Sequence, residues 1–318
     1  MGADQITEEE GALRLEEKRS YRLNVESWEK DGFLREDTDL DLSGGELLHA
    51  VVTAMIPEEE IFFETPGEGL SHRLRLLEYA LEARGEYLRK APGLLTLDES
   101  VRGAVSYCLG MIAARLVGAR LYGTRLLAPV QSVCGNIRYK GYRRADLIGY
   151  GEGGLQVWQA VGRSNNSGKA LAEGSRLAGE LKSFGDESPA LSCACMTYYG
   201  SRCLSVRVRE AESGGKEGFS LPQGREDAER AYYGRLAGLL NACYERESLE
   251  NRLLLGEDMV EARIRVYGGR RLSVAMPRRL FFAVREGGEL PEIKAVPGPL
   301  ADGTYRGADG VCVRLLQE

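Results

Sequence analysis

Histidine is nearly absent from this chain: His49 and His72 are the only two among 318 residues. Zinc centres and general acid–base sites both draw heavily on imidazole, so neither chemistry is well supplied and neither histidine is expected to be catalytic. The seven cysteines are odd in number and lack the paired short spacings of a zinc site, so they read as reduced core thiols. Cys193 and Cys195 share one face of an expected strand with Cys203 on the next, which leaves a soft-metal site as the alternative to packing. No run of about eighteen apolar residues occurs, and the most apolar helix, near residues 101–121, holds Arg115 and Arg120, so no membrane span is expected. The opening Met1-Gly2-Ala3-Asp4 lacks both the basic-then-apolar layout of a secretory signal and the hydroxyl of a myristoylation signal, and a cytoplasmic location is the expectation. A Gly-x-Ser-x-Gly nucleophile elbow is also missing, and Ser132 and Cys134 have no histidine nearby in sequence to activate them. With a formal charge of −6, the chain has no global basic footprint for nucleic acid.

What is present suits a globular α/β protein of one large domain or two, with 43% hydrophobic and 28% charged residues. Alternation of Tyr21, Leu23 and Val25 predicts a strand over 20–27, and Ser43 is placed to start a helix over 44–55. Leucines at helical spacing predict a second helix over 72–90, ending before Ala91-Pro92-Gly93. Residues 1–93 are therefore expected to form a mostly helical N-terminal region. Thr96-Leu97-Asp98-Glu99 has the form of a capping box, opening a long helix whose Val101, Val105, Cys108, Ile112, Leu116 and Ala119 share a broad face. Strands are predicted over 126–133, 144–148 and 155–161, the last two joined by Gly151-Glu152-Gly153-Gly154 as a hairpin. A helix over 170–183, strands over 191–198 and 204–208 and a helix over 226–246 complete a core spanning 94–250. Short strands over 260–267, 272–275, 281–284 and 311–315 predict a β-rich C-terminal region over 251–318.

The segment Arg144-Ala145-Asp146-Leu147-Ile148-Gly149, the glycine turn, and Leu155-Gln156-Val157-Trp158-Gln159-Ala160-Val161-Gly162-Arg163 place Asp146 near a strand end and Gln159 and Val161 two residues apart. In an extended strand such residues point to one face. Continued by Ser164-Asn165-Asn166-Ser167-Gly168-Lys169 and a helix, this pattern resembles the PD-(D/E)XK, or restriction-endonuclease-like, superfamily of metal-dependent nucleases. The likeness is to uncharacterised bacterial nuclease-like proteins with an Glu-Ala-Lys-Gly-Arg strand end. It spans roughly residues 98–245 and implies a mixed sheet flanked by helices in the order αβββαβ. In such nucleases the acidic pair holds a hard cation and the lysine stabilises developing charge. Here Gln159 and Val161 stand where the resemblance puts the Glu and the Lys, so it implies a vestigial site at Asp146, Gln159 and Val161, no resident cofactor and no catalysis.

Three functional readings follow. The first is a catalytically degenerate nuclease-like protein serving as a nucleic-acid-binding or protein-interaction component, with DNA favoured over RNA and a protein partner or second copy expected. Arg143, Arg144, Arg163, Lys169 and Arg176 would contact phosphates along a rim that also includes Tyr139 and Tyr142; a merely solvated charged face is the alternative. A place in a bacterial defence or mobile-element system rests on the resemblance alone. The second is an active Mg²⁺-dependent DNase whose missing groups have moved to Glu173 (or Glu180) and Lys169 (or Lys182), with Asp146 retained. The third is a structural subunit. Gly162 to Lys169 also has the look of a phosphate loop, but five residues separate its glycines and Ala170 replaces the hydroxyl, leaving at most an anion site at the helix start.

Overall fold

The computed structural model describes residues 13, 15, 20–29, 34–54, 66–134, 145–200, 203–211, 218–244, 250–254 and 256–316. It begins with β1 (Ser20–Trp28), β2 (Leu34–Ser43), α1 (Gly44–Thr53), α2 (Pro66–Ala80) and the hairpin β3 (Leu81–Arg84) and β4 (Tyr87–Lys90). Then come α3 (Glu99–Leu121), β5 (Thr124–Pro129), the short α4 (Val130–Cys134), β6 (Leu147–Gly151), β7 (Gly154–Gly162), α5 (Gly168–Ala178), β8 (Leu181–Phe184), β9 (Leu191–Tyr199), β10 (Leu204–Glu210) and β11 (Phe219–Leu221). The chain closes through α6 (Arg225–Tyr244), β12 (Glu250–Leu254), β13 (Glu257–Arg265), β14 (Arg271–Pro277), α7 (Arg278–Glu286), β15 (Gly298–Pro299), β16 (Tyr305–Arg306) and β17 (Cys312–Leu316).

The result is a mixed α/β fold. Its main sheet runs β3-β4-β1-β10-β9-β7-β6-β5, with β2 paired to β1. β5, β6 and β7 form an antiparallel meander, and β9 lies parallel to β7. Helix, three-strand meander, helix and parallel strand thus follow one another in the order expected for the middle of the chain. β9, expected to be central because it is apolar on both faces, has neighbours on both sides and buries Cys193 through Tyr198. A second sheet, β12-β13-β14-β17-β16-β15, gathers the C-terminal strands.

Strand alternation in β7 sorts its side chains between two helices. Trp158 and Ala160 join the large core shared with α3, whereas Val161 packs with Leu171, Ala194 and Met196 on the α5 side. The close approach of α3 to this strand depends on a missing side chain: a Cβ at Gly162 would sit 1.9 Å from the Ser106 carbonyl oxygen. α3 is also the one helix among the described residues long and apolar enough to cross a bilayer, but most of it is buried within the fold.

Several local expectations give way to longer-range packing. The helix predicted over 72–90 stops at Ala80, and the rest is a hairpin turning at Gly85, whose φ of 63° favours glycine. Among its described residues the N-terminal region is therefore not mostly helical: its strands extend the main sheet, because β1 finds a parallel partner in β10, far along the chain. Thr96 does not cap α3. Its hydroxyl donates to the Gly93 carbonyl at 2.7 Å within a 3-10 turn, and Asp98 occupies the N-cap without a side-chain hydrogen bond. The strand predicted over 126–133 ends at Pro129, and residues 181–184 leave the expected helix to pair with β11. Residues 281–284 lie in α7, not a strand. There Leu280, Phe281 and Val284 form an inward stripe while Arg278 and Arg279 stay exposed, a helical pattern.

Gly162→Ala should destabilise the protein by about 3 kcal/mol through overpacking against the α3 backbone. Urea unfolding followed by circular dichroism measures this; an unchanged midpoint would refute the close-packing account.

Candidate functional site

The motif positions meet in space. Asp146 lies one residue before β6, and its Oδ2 accepts hydrogen bonds from the Gln159 Nε2 at 2.5 Å and the Ala160 amide at 3.0 Å. A glutamate at 159 would set two like charges side by side, which needs a bound cation or a shared proton. The glutamine instead presents an N–H donor, so the aspartate is satisfied without metal. The other amide atom, Gln159 Oε1, is buried without a hydrogen-bond partner. Val161 is embedded among apolar side chains of β9 and α5. It supplies packing where a lysine would supply charge.

The remaining sequence-nominated residues are spread differently. Arg163 and Lys169 are exposed on the loop after β7 and at the first turn of α5, while Ser167 caps that helix by accepting from the Ala170 amide at 3.3 Å. Arg176 is tied to Glu173, with Nη2 to Oε1 at 2.9 Å, and also to Glu180, so its charge is largely committed within its own helix. α5 turns Gly174 toward the motif: a Cβ there would meet the Val161 Cγ2 at 2.8 Å and the Gln159 Cγ at 3.4 Å. Glu173, one position earlier, is half-exposed beside Arg176. Arg143, Arg144, Tyr139 and Tyr142 lie outside the described residues. Cys193 and Cys195 are fully buried, and burial pushes both thiols up, which suits packing better than ligation. Among the described residues no group of three His, Cys, Asp or Glu side chains is arranged to hold a metal ion.

A second polar centre was not legible in the sequence. Asp309, in the loop before β17, is completely buried. Its Oδ1 accepts from His49 Nε2 and from the Val311 amide, each at 3.0 Å. Its Oδ2 accepts from Arg115 Nη2 at 3.1 Å and from the Tyr232 hydroxyl, while Tyr233 donates to its carbonyl at 3.1 Å. Arg115, buried in the middle of α3, spends three more of its donors on the carbonyls of Thr124 and Arg125 and on the Thr53 hydroxyl. A carboxylate only accepts, so His49 Nε2 carries a proton. Burial alone would raise the Asp309 pKa; His49, Arg115 and the Tyr232 hydroxyl overcome it and hold the group well below the ordinary carboxylate value. Contact between His49 and Asp309 also needs Gly307, where a Cβ would lie 2.2 Å from His49 Nε2. These partners are 260 residues apart in the chain, and no spacing rule links them.

No protein-family model, curated protein or solved structure matches this chain.

Replacing Asp309 by Ala strands Arg115 in the interior and should cost on the order of 3 to 5 kcal/mol at neutral pH. Because the folded-state pKa is depressed, the stabilisation by Asp309 is complete above the unfolded value near 3.9 and is lost as pH falls through the folded value. The wild type should therefore lose stability relative to Asp309→Asn as pH drops below about 4, which denaturation midpoints at stepped pH would reveal. Parallel pH profiles would contradict the assignment.

Proposed function

We propose that the chain is a catalytically degenerate nuclease-like module that retains an interaction role, with a nucleic-acid phosphate backbone as its first candidate partner. The observation that supports this best is the Gln159 amide bonded to Asp146, with Val161 in an apolar cluster two residues on. Metal-assisted phosphoryl transfer requires concentrated negative charge to hold a divalent ion and a cation to offset the transition state. Here one carboxylate is left, and it is already occupied by two N–H donors. The order helix, three-strand meander, helix, parallel strand agrees with the superfamily that the motif resembles. Exposed Arg163 and Lys169 flank the site, and among the described residues neither has the pairing that commits Arg176.

With Mg²⁺ or Mn²⁺ the wild-type protein should leave supercoiled and linear DNA intact, and cleavage abolished by Glu173→Ala would instead establish the relocated-nuclease reading. Fluorescence anisotropy with a short duplex at low salt should register binding that weakens as salt rises, each of Arg163→Ala and Lys169→Ala lowering the log–log slope by about 0.9. Absence of binding at low salt to DNA or RNA would leave the structural-subunit reading. In EDTA, Gln159→Glu should lower stability by about 1 to 3 kcal/mol through like-charge repulsion at Asp146. Together with Val161→Lys it asks whether millimolar Mg²⁺ restores that loss, read as a shift in Tm.

A further inference from the structure

The C-terminal sheet has two unlike faces. Ala262 and Ile264 of β13, Leu272 and Val274 of β14, and Val313 of β17 turn inward and join the large core. Alternation sends the residues between them to the opposite face. There the register sets Arg265 directly across from Arg271, and Arg263 in line with Ser273 and Arg314. Residues two apart on a strand are about 7 Å apart, and adjacent strands about 5 Å, so four arginines share one small platform. Arg263 and Arg265 are exposed, and Arg271 and Arg314 half-buried.

The acids on this face do not balance them. Glu261 is 2% exposed, and its Oε1 accepts from the Ser273 hydroxyl at 2.7 Å and lies 3.7 Å from the Arg263 Nε. Asp302 accepts from the Thr304 amide and hydroxyl, each at 3.0 Å, and stands 3.6 Å from the Arg314 Nη1. Glu257, further along β13, is shared by Arg306 and Arg279. Among the described residues Arg265 has no acidic partner.

Like charges directly opposite on paired strands repel, so this arrangement costs stability that a polyanion would restore. It is concentrated on a chain whose formal charge is −6. Guanidinium groups pair bidentately with phosphates, and neutralised phosphates release their counterions. A face three strands wide does not fit a duplex groove, which admits a helix or a two-stranded ribbon. Single strands instead lie across such sheets and stack bases on aromatic rings. The turn joining β13 to β14 supplies one: Tyr267 is 52% exposed, with the Arg75 guanidinium 4.3 Å over its ring.

We propose that the outer face of the C-terminal sheet binds single-stranded nucleic acid, with Arg263, Arg265, Arg271 and Arg314 on phosphates and Tyr267 stacking a base at the turn. This surface is separate from the rim of Arg163 and Lys169 and does not depend on it; the two share only a partner class.

The test is fluorescence anisotropy with labelled oligo(U) and oligo(dU) at low salt, using the full chain with Arg163→Ala and Lys169→Ala to silence the motif rim. Binding should persist in that background and weaken as salt rises. Adding Arg263→Thr and Arg265→Thr should weaken it about tenfold, the slope of log K against log salt falling by about 0.7 for each. Tyr267→Ala should cost about tenfold with the slope unchanged. The Tm should not fall in the threonine variant, because facing like charges are removed and threonine suits a strand; Arg265→Thr alone repeats the comparison if the double substitution unfolds the chain. Oligo(U) against oligo(dU) identifies the sugar preferred. Binding by the wild type that disappears with Arg163→Ala and Lys169→Ala overturns this proposal and leaves the motif-rim reading standing, whereas no binding by the wild type defeats both. Equal competition by polyglutamate, tighter binding of a duplex, or binding indifferent to the arginine substitutions also overturns it.

Discussion

The structure depends most on one buried carboxylate. Asp309 receives donors from α1, α3, α6 and its own loop, and through Arg115 it reaches the backbone of β5. An ionised group with no exposure is tolerable only when its lone pairs are met, and here they are. The consequence is architectural. The segment after β16 is clamped to the first helix and to the long core helix, so the C-terminal sheet and the N-terminal strands belong to one packed body with a shared hydrophobic core. Apolar side chains in its place would lack the directional bonds that fix orientation. The charge network specifies which face of α1 meets which loop.

The motif strand and the Asp309 network occupy separate places in the fold. On the α5 side of the main sheet, the motif strand ends in an amide–carboxylate pair and an apolar cluster, an arrangement that is stable without an ion. On the side of α1 and α3, His49 is held at Nε2 by Asp309 and lines a cavity with Glu46 and Tyr305. Asp146 accepts from neighbouring donors, while the Gln159 Oε1 beside it is buried without a partner; Glu46 on the other side is approached by Arg120.

Much of the middle of the chain was legible because its signals are local. The hairpin of β6 and β7 follows from Gly151 to Gly154 between apolar runs, α3 from its long periodic face, and the central position of β9 from being apolar on both sides. Failures cluster where apolar residues suit both periods. Leu81 and Leu88 fit a helix as well as a hairpin, Leu181 fits α5 as well as β8, and Phe281 fits a strand as well as α7. Leu181 finds a strand partner in β11, Leu81 and Leu88 pair across a hairpin whose strand β4 also joins β1, and Phe281 turns inward on α7. Thr96 failed for a different reason: its hydroxyl donates to the Gly93 carbonyl instead of accepting from the Glu99 amide.

The sequence by itself determined the α/β character, the helix and strand order of the core, and the placing of Gln159 and Val161 two residues apart on one strand, because these are matters of residue type and short-range periodicity. Only the tertiary structure decided that Gln159 turns its amide on Asp146, that four additional strands join the main sheet from the N-terminal side, and that His49 meets Asp309 across 260 residues. Such meetings are fixed by burial and by the demand that each buried polar atom find a partner. Neither condition exists until the chain has closed on itself.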